Sequence, residues 1–213
     1  MNNASRQSSQ AHEGERRIAP GSRLSISAVL LAGGQSRRMR TDKAMFLFRE
    51  KPLWQIQLET LRKLQPEEIF VSGRINPSWR PEDVQFIADA PPSRGPLSGL
   101  AASLDRMNTT HLLALAIDMP SMSSKYLEFL CCHIEPGRGV VPRMLDRAEP
   151  LAAIYPREAA SEFRDALIGA DLSLQSLVRS LVAAGKLREI SIRPREKELF
   201  LNLNRPSDLA SNC

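Results

Sequence analysis

"ISAVLLAGGQSRRMRTDKA", residues 26–44, decides the architecture of this chain. The run from Ile26 to Leu31 is short, apolar and ended by Gly33-Gly34, which predicts a buried strand. Arg37, Arg38, Arg40 and Lys43 then arrive within seven residues. A first strand that ends in two glycines and a cationic loop points to an α/β sheet with an anion held at the strand's end. Taken alone, the loop also fits a solvated basic turn.

The pattern further along supports the α/β reading. Pro52 opens a helical stretch whose apolar face is Leu53, Ile56, Leu61 and Leu64. Strands are predicted at 68–72 (EIFVS) and 84–88 (VQFIA), and a helix follows Pro96 to about Met107. HLLALAI, 111–117, is the strongest strand, and a helix around 123–133 is capped by Ser123 or Ser124. Strands near 138–142 and 150–155, helices near 157–168 and 173–184, and strands near 187–192 and 198–203 complete the chain. Strands alternating with helices predict a mostly parallel sheet, whose ligands lie beyond the carboxyl ends of the strands. Those ends hold Gly33-Gly34, Ser72-Gly73, Asp89 and Asp118.

At 213 residues, 42% hydrophobic and 25% charged, the chain suits one globular domain. Residues 1–24, rich in Ser, Asn, Gln and Arg, read as a disordered polar tail, leaving 25–213 as the domain. The tail has no apolar core of a secretory signal, and no stretch reaches the roughly 18 apolar residues of a membrane span. The charge of +5 is local: segment 1–25 nets +2, the loop 35–43 nets +3, and the remainder balances. No basic face spreads over the fold, so nucleic acid is a poor partner and a local anion site a good one. The three cysteines, Cys131, Cys132 and Cys213, give no disulfide framework, the first two being adjacent, which fits a reducing cytoplasm. His12, His111 and His133 lack metal-ligand spacing and are expected in surface or packing roles.

Two phosphate loops are excluded. The pattern GxxxxGK[ST] needs glycine before lysine, where this chain has Asp42; GxGxxG needs spaced glycines, and these are adjacent. Instead "LAGGQSRRMRTDKA" (31–44) resembles the LAGGxSxRMGxDKA signature of the molybdenum cofactor guanylyltransferases, within the larger nucleotidyltransferase superfamily. "KPLWQ" (51–55), "GPLSGL" (95–100), "AIDMP" (116–120), "EPLAAIYP" (149–156) and "NLNRP" (202–206) resemble further motifs of that family, in the same order. Six ordered motifs over roughly 26–210 are far more specific than any one of them.

The resemblance implies a three-layer α/β/α sandwich, Rossmann-like, of the nucleotide-diphospho-sugar transferase type. It implies transfer of GMP from GTP to the phosphate of molybdenum-molybdopterin with release of pyrophosphate. By the same resemblance Lys43, Arg38 and Asp118 are catalytic, and Asp118 holds Mg²⁺, a hard cation suited to carboxylate and phosphate oxygens. Leu31, Ala32, Gly33, Gly34, Lys43, Ser72, Asp89, Gly95, Pro96, Leu97 and Gly99 would bind the nucleotide, and Asn202 and Asn204 the pterin. Molybdoenzymes or cofactor-delivery proteins are further implied partners. Some alternatives stay open. Asp89 also reads as a turn residue, residues 95–99 as a plain helix start, and the two asparagines, two apart on one strand face, as turn residues.

The chain departs from the family pattern twice. Arg40 stands where the family has glycine, so it is either an added phosphate contact or a strained replacement. Ser72 stands where asparagine is frequent and cannot reproduce both amide contacts, which bears on base choice. The competing functions are a sister transferase, cytidylyl for the same cofactor or one acting on sugar or isoprenoid phosphates, and a non-catalytic accessory protein. LAGG with GPLSG favours the guanine enzyme, and retention of Lys43 with Asp118 favours catalysis.

Overall fold

The computed structural model describes residues 24–33, 42–89 and 93–203. Its elements are β1 (Ile26–Leu31), α1 (Leu53–Arg62), β2 (Glu68–Gly73), β3 (Gln85–Ala88), α2 (Pro96–Arg106) and β4 (His111–Ala116). They continue with α3 (Ser124–Cys131), β5 (Gly139–Met144), β6 (Ala152–Pro156), α4 (Ala160–Ile168), α5 (Leu174–Ala183) and β7 (Leu187–Ser191). The sheet order is β7-β5-β6-β4-β1-β2-β3, with a two-residue strand, Arg147–Ala148, paired to the end of β5.

Alternation along the central strands builds the three layers. Ala28 and Leu30 of β1, with Leu113 and Leu115 of β4, face α1 and α3, whose Leu53, Leu58, Leu61, Tyr126, Leu127 and Leu130 complete that core. Val29 and Leu31, with Leu112 and Ala114, face the opposite layer, where α2, α4 and α5 bring Leu97, Leu100, Leu104, Phe163, Leu177 and Leu181. Both faces of β4 are covered, which is why all six of its residues are buried and its sequence reads as a continuous apolar run. Each such leucine contributes roughly 1.5–3 kcal/mol by leaving water. No helix among the described residues is long and apolar enough to cross a membrane.

The mostly parallel sheet is borne out, with β6 running antiparallel to both β4 and β5. Only residues 145–151 separate β5 from β6. A parallel return needs a dozen or more residues, so this short connection forces the reversal.

The strand expected near 198–203 does not form. Pro194–Phe200 is a 3-10 helix, and residues 201–203 are irregular. Pro194 starts it, and Glu196 accepts the Arg193 N–H at 2.9 Å in a capping box. Phe200 and Leu203 are buried while Leu201 and Asn202 are exposed, a spacing of three that suits a helical turn. The Phe200 ring meets Tyr126 of α3 edge-on at 5.3 Å.

Candidate active site

The strand order reverses between β1 and β4, which places their carboxyl ends side by side: Leu31 pairs with Ala116 in one direction and with Ser72 of β2 in the other. Ligands of open α/β sheets bind at such a switch point. Immediately beyond β4, Asp118 meets Lys43, with Nζ 2.9 Å from Oδ2. Lys43 opens a 3-10 turn, Lys43–Met45, capped by Asp42 Oδ1, which accepts the Ala44 N–H at 3.0 Å. The Lys43 and Asp118 side chains are only 19% and 25% exposed, so the pair is recessed yet still open to a ligand. Leu203 N–H donates to the Asp118 carbonyl at 2.8 Å, tying the C-terminal segment to the same corner.

Asp42 does more than cap. Its Oδ2 accepts the Trp79 indole N–H at 2.8 Å, and Trp79 stacks on Trp54 of α1 at 5.6 Å and 17°. Two tryptophans from distant segments thereby hold the turn that carries Lys43. Nothing local in the sequence marks this latch; Asp42 reads there only as one negative charge among cations.

Beyond β2 and β3, Ser72 and Asp89 come together as a second group. Ser72 Oγ donates to Asp89 Oδ1 at 3.1 Å, and Ser93 Oγ donates to Oδ2 at 3.0 Å. Gly33 lies against this carboxylate: a Cβ there would sit 3.2 Å from Asp89 Oδ2. Asp89 is therefore held by the Ser93 hydroxyl and stands beside the glycine that follows β1. Leu31 and Ala32 are partly committed to the sheet, since Ile117 N–H donates to the Leu31 carbonyl at 3.2 Å and Ala32 N–H donates to Ser72 at 2.9 Å.

The segment from Gly95 to Gly99 divides in two. Gly95 caps α2 with φ of 65° and ψ of −143°, a backbone that only glycine adopts readily, and open space surrounds its Cα. Gly99 is buried under the sheet, where a Cβ would fall 2.3 Å from Ser72 Oγ and 3.0 Å from the Leu31 side chain. Its smallness answers to helix–sheet packing. Pro96 and Leu97 face a cavity instead.

Three adjoining cavities cross this end of the sheet. The first, about 170 Å³, is lined by Gly33, Asp42, Ser72, Gly73, Arg74 and Trp79 among others. The middle one, about 120 Å³, holds Lys43 and Asp118 and shares Ala32, Gly33 and Asp42 with the first. The third, about 320 Å³, shares Pro96 and Leu151 with the middle one and is lined by Arg94, Arg147, Glu149 and Asn202. The Lys43–Asp118 pair thus stands between two hollows. Asn202 is exposed on irregular backbone in the third hollow and not on a strand. Gly34, Arg37, Arg38, Arg40 and Asn204 lie outside the described residues.

Among the described residues, no three His, Cys, Asp or Glu side chains gather as a metal cage. The recessed carboxylate of Asp118 nevertheless suits Mg²⁺, which takes one or two carboxylates and fills its shell with water and substrate phosphates. His111 has a packing role: it is fully buried, its Nε2 faces the carbonyls of Glu135 and Arg138 at 3.1 and 3.3 Å, and burial lowers its pKa.

Comparison with known proteins matches the chain to a family. Residues 28–186 match the MobA-like NTP transferase domain. The chain is 33% identical over 186 residues to a probable molybdenum cofactor guanylyltransferase of Opitutus terrae, covering 86% of this chain and 92% of that protein. It is 31% identical over 188 residues to a molybdenum cofactor guanylyltransferase of Syntrophotalea carbinolica, covering 85% and 88%. The fold superposes on the crystal structure of molybdopterin-guanine dinucleotide biosynthesis protein A from Archaeoglobus fulgidus with a TM-score of 0.67, at 24% identity over 87% of this chain and 95% of that one.

Proposed function

The chain belongs to the MobA-like NTP transferase family, and from that premise we propose that it transfers GMP from GTP to the terminal phosphate of molybdenum-bearing molybdopterin. An oxygen of that phosphate attacks the α-phosphorus, the bond from the α-phosphorus to the β-bridging oxygen breaks, and pyrophosphate leaves. One anion must approach another, so catalysis is mainly positioning and charge neutralisation.

The observation that carries this reading is the Lys43–Asp118 pair, set in a cavity that opens on one hollow at Gly33 and Ser72 and on another at Asn202. A transfer between two large substrates needs that plan: a site for each, with the charged groups where their phosphates meet. The nucleotide takes the side of Gly33, Ser72 and Asp89, and the acceptor takes the side of Arg94, Arg147 and Asn202. Lys43 places a compact positive charge on the triphosphate. Asp118 would hold Mg²⁺, which when bound screens the phosphate charges. Because Lys43 and Asp118 occupy each other in the free protein, the substrates must separate them. The relatives named as guanylyltransferases support GTP as donor.

The test is turnover with each nucleoside triphosphate in turn, molybdopterin and Mg²⁺, followed by pyrophosphate release. Selective use of GTP is expected. Preference for CTP would instead assign the chain to the sister reaction, in keeping with Ser72 at the nucleotide side, and no release with any nucleotide would refute transfer.

A further inference from the structure

Glu149 is placed in a way that the transfer chemistry leaves unused. It lines the third cavity beside Arg94, Arg147 and Asn202, while its carboxylate has no hydrogen bond or ion pair among the described residues. Its backbone is fixed on both sides. Glu149 N–H donates to the Pro142 carbonyl at 2.8 Å, and its own carbonyl accepts from Ala152 N–H at 3.2 Å. Next to it, Gln175 clamps Ala148 twice, accepting its N–H at 3.2 Å and donating to its carbonyl at 2.8 Å. Glu149 is half-buried on this rigid mount, and its carboxylate is placed to accept hydrogen bonds from a ligand in the cavity. Burial already pushes its pKa up, with Arg147 pulling partly the other way.

The cavity's other charges sharpen the puzzle. Arg94 and Arg147 suit an anionic ligand, whereas Glu149 repels one. A ligand that carries both negative groups and a pair of N–H donors resolves the conflict. A pterin that bears a phosphate is such a ligand: its ring presents an amide N3–H beside a 2-amino group, two parallel donors that a carboxylate accepts bidentately. We infer that Glu149 is the specificity residue for the acceptor, taking the 2-amino-4-oxo edge of the pterin with its two carboxylate oxygens while Arg94 and Arg147 face the anionic groups. This rests on the acceptor side assigned above. Guanine carries the same edge, but Glu149 lies past Pro96 and Leu151, on the far side of the Lys43–Asp118 cavity from Gly33 and Ser72.

The experiment titrates the full chain with two fluorescent probes, 6-hydroxymethylpterin and lumazine. Lumazine carries a 2-oxo group where pterin carries its 2-amino group, so one donor becomes an acceptor facing the carboxylate. The wild-type chain is expected to prefer the pterin by about tenfold to a hundredfold. Glu149→Gln should erase that ratio and leave the GTP affinity unchanged, which also shows that the variant is folded. Equal affinity of wild type for the two probes, no measurable binding of either, or an unaltered ratio in Glu149→Gln overturns the inference. Loss of GTP affinity in Glu149→Gln also overturns it, by assigning the carboxylate to guanine. A preserved pterin preference in a wild-type chain that transfers no GMP would uphold pterin recognition and refute the reaction, so the two failures are separable.

Discussion

Lys43 Nζ and Asp118 Oδ2 stand 2.9 Å apart although 75 residues separate them in the chain, and under the proposed reaction each is the charge that the other must release when substrates bind. The pair is recessed but wetted, so its contribution to stability is small, about 0–1 kcal/mol. Under the proposed reaction its contribution to turnover is expected to be large. Lys43→Ala and Asp118→Ala are each expected to slow the transfer by about a hundredfold or more, with melting temperatures close to wild type. Steady-state pyrophosphate release alongside thermal unfolding checks this. Near-normal turnover of Asp118→Ala at saturating Mg²⁺ would remove it from the chemistry.

Asp42 holds the Lys43 turn through two bonds, one to Ala44 N–H and one to the Trp79 indole. Asp42→Ala should cost about 1 kcal/mol as a lost cap and loosen Trp79. The expected signature is a changed tryptophan emission together with a raised KM for GTP. Unaltered emission would show that the indole bond does not order the turn in solution.

Gly99 and Ser72 test the packing explanation directly. Gly99→Ala drives a methyl group into Ser72 Oγ, and the cost expected of such overpacking is about 1–3 kcal/mol. Removing the hydroxyl with Ser72→Ala relieves part of the clash, so the double variant should be more stable than the two single losses added together. Urea unfolding of all four chains gives the coupling. Strict additivity would mean that Gly99 is small for another reason.

His111 makes stability depend on pH. Desolvation, the largest cause, lowers its pKa below the ordinary 6.5, against the carbonyls of Arg138 and Glu135 and the charge of Glu158. As pH falls through about 6.5, the unfolded chain takes up this proton first. Stability from the neutral, buried ring is therefore present above that pH and declines below it. The melting temperature should fall between pH 7.5 and 5.5, and His111→Gln should flatten the slope. The same slope in the variant would place the titrating group elsewhere.

The central strands and their ends are determined by the sequence itself, because the information is local. ISAVLL and HLLALAI are short apolar runs closed by glycine or by Asp-Met-Pro, and a strand covered on both faces needs nothing else to be recognised. The same locality makes Gly33, Ser72, Asp89 and Asp118 legible as strand-end positions, and the motif likeness adds the family and Lys43. Tertiary structure alone decided which of these meet. Lys43 reaches Asp118 because β1 and β4 are neighbours in the sheet, Asp42 reaches Trp79 across a loop, and position 99 admits only glycine because Ser72 lies beneath it. It also decided the place of β6 between β4 and β5, and the helical turn at Pro194–Phe200, through the burial of Phe200 and Leu203 against the layer of α3. Glu149 is the clearest case. In the sequence it is one acidic residue before a proline; in the fold it is a half-buried carboxylate facing a cavity, without a partner among the described residues, because burial and partnership are properties of residues far apart in the chain.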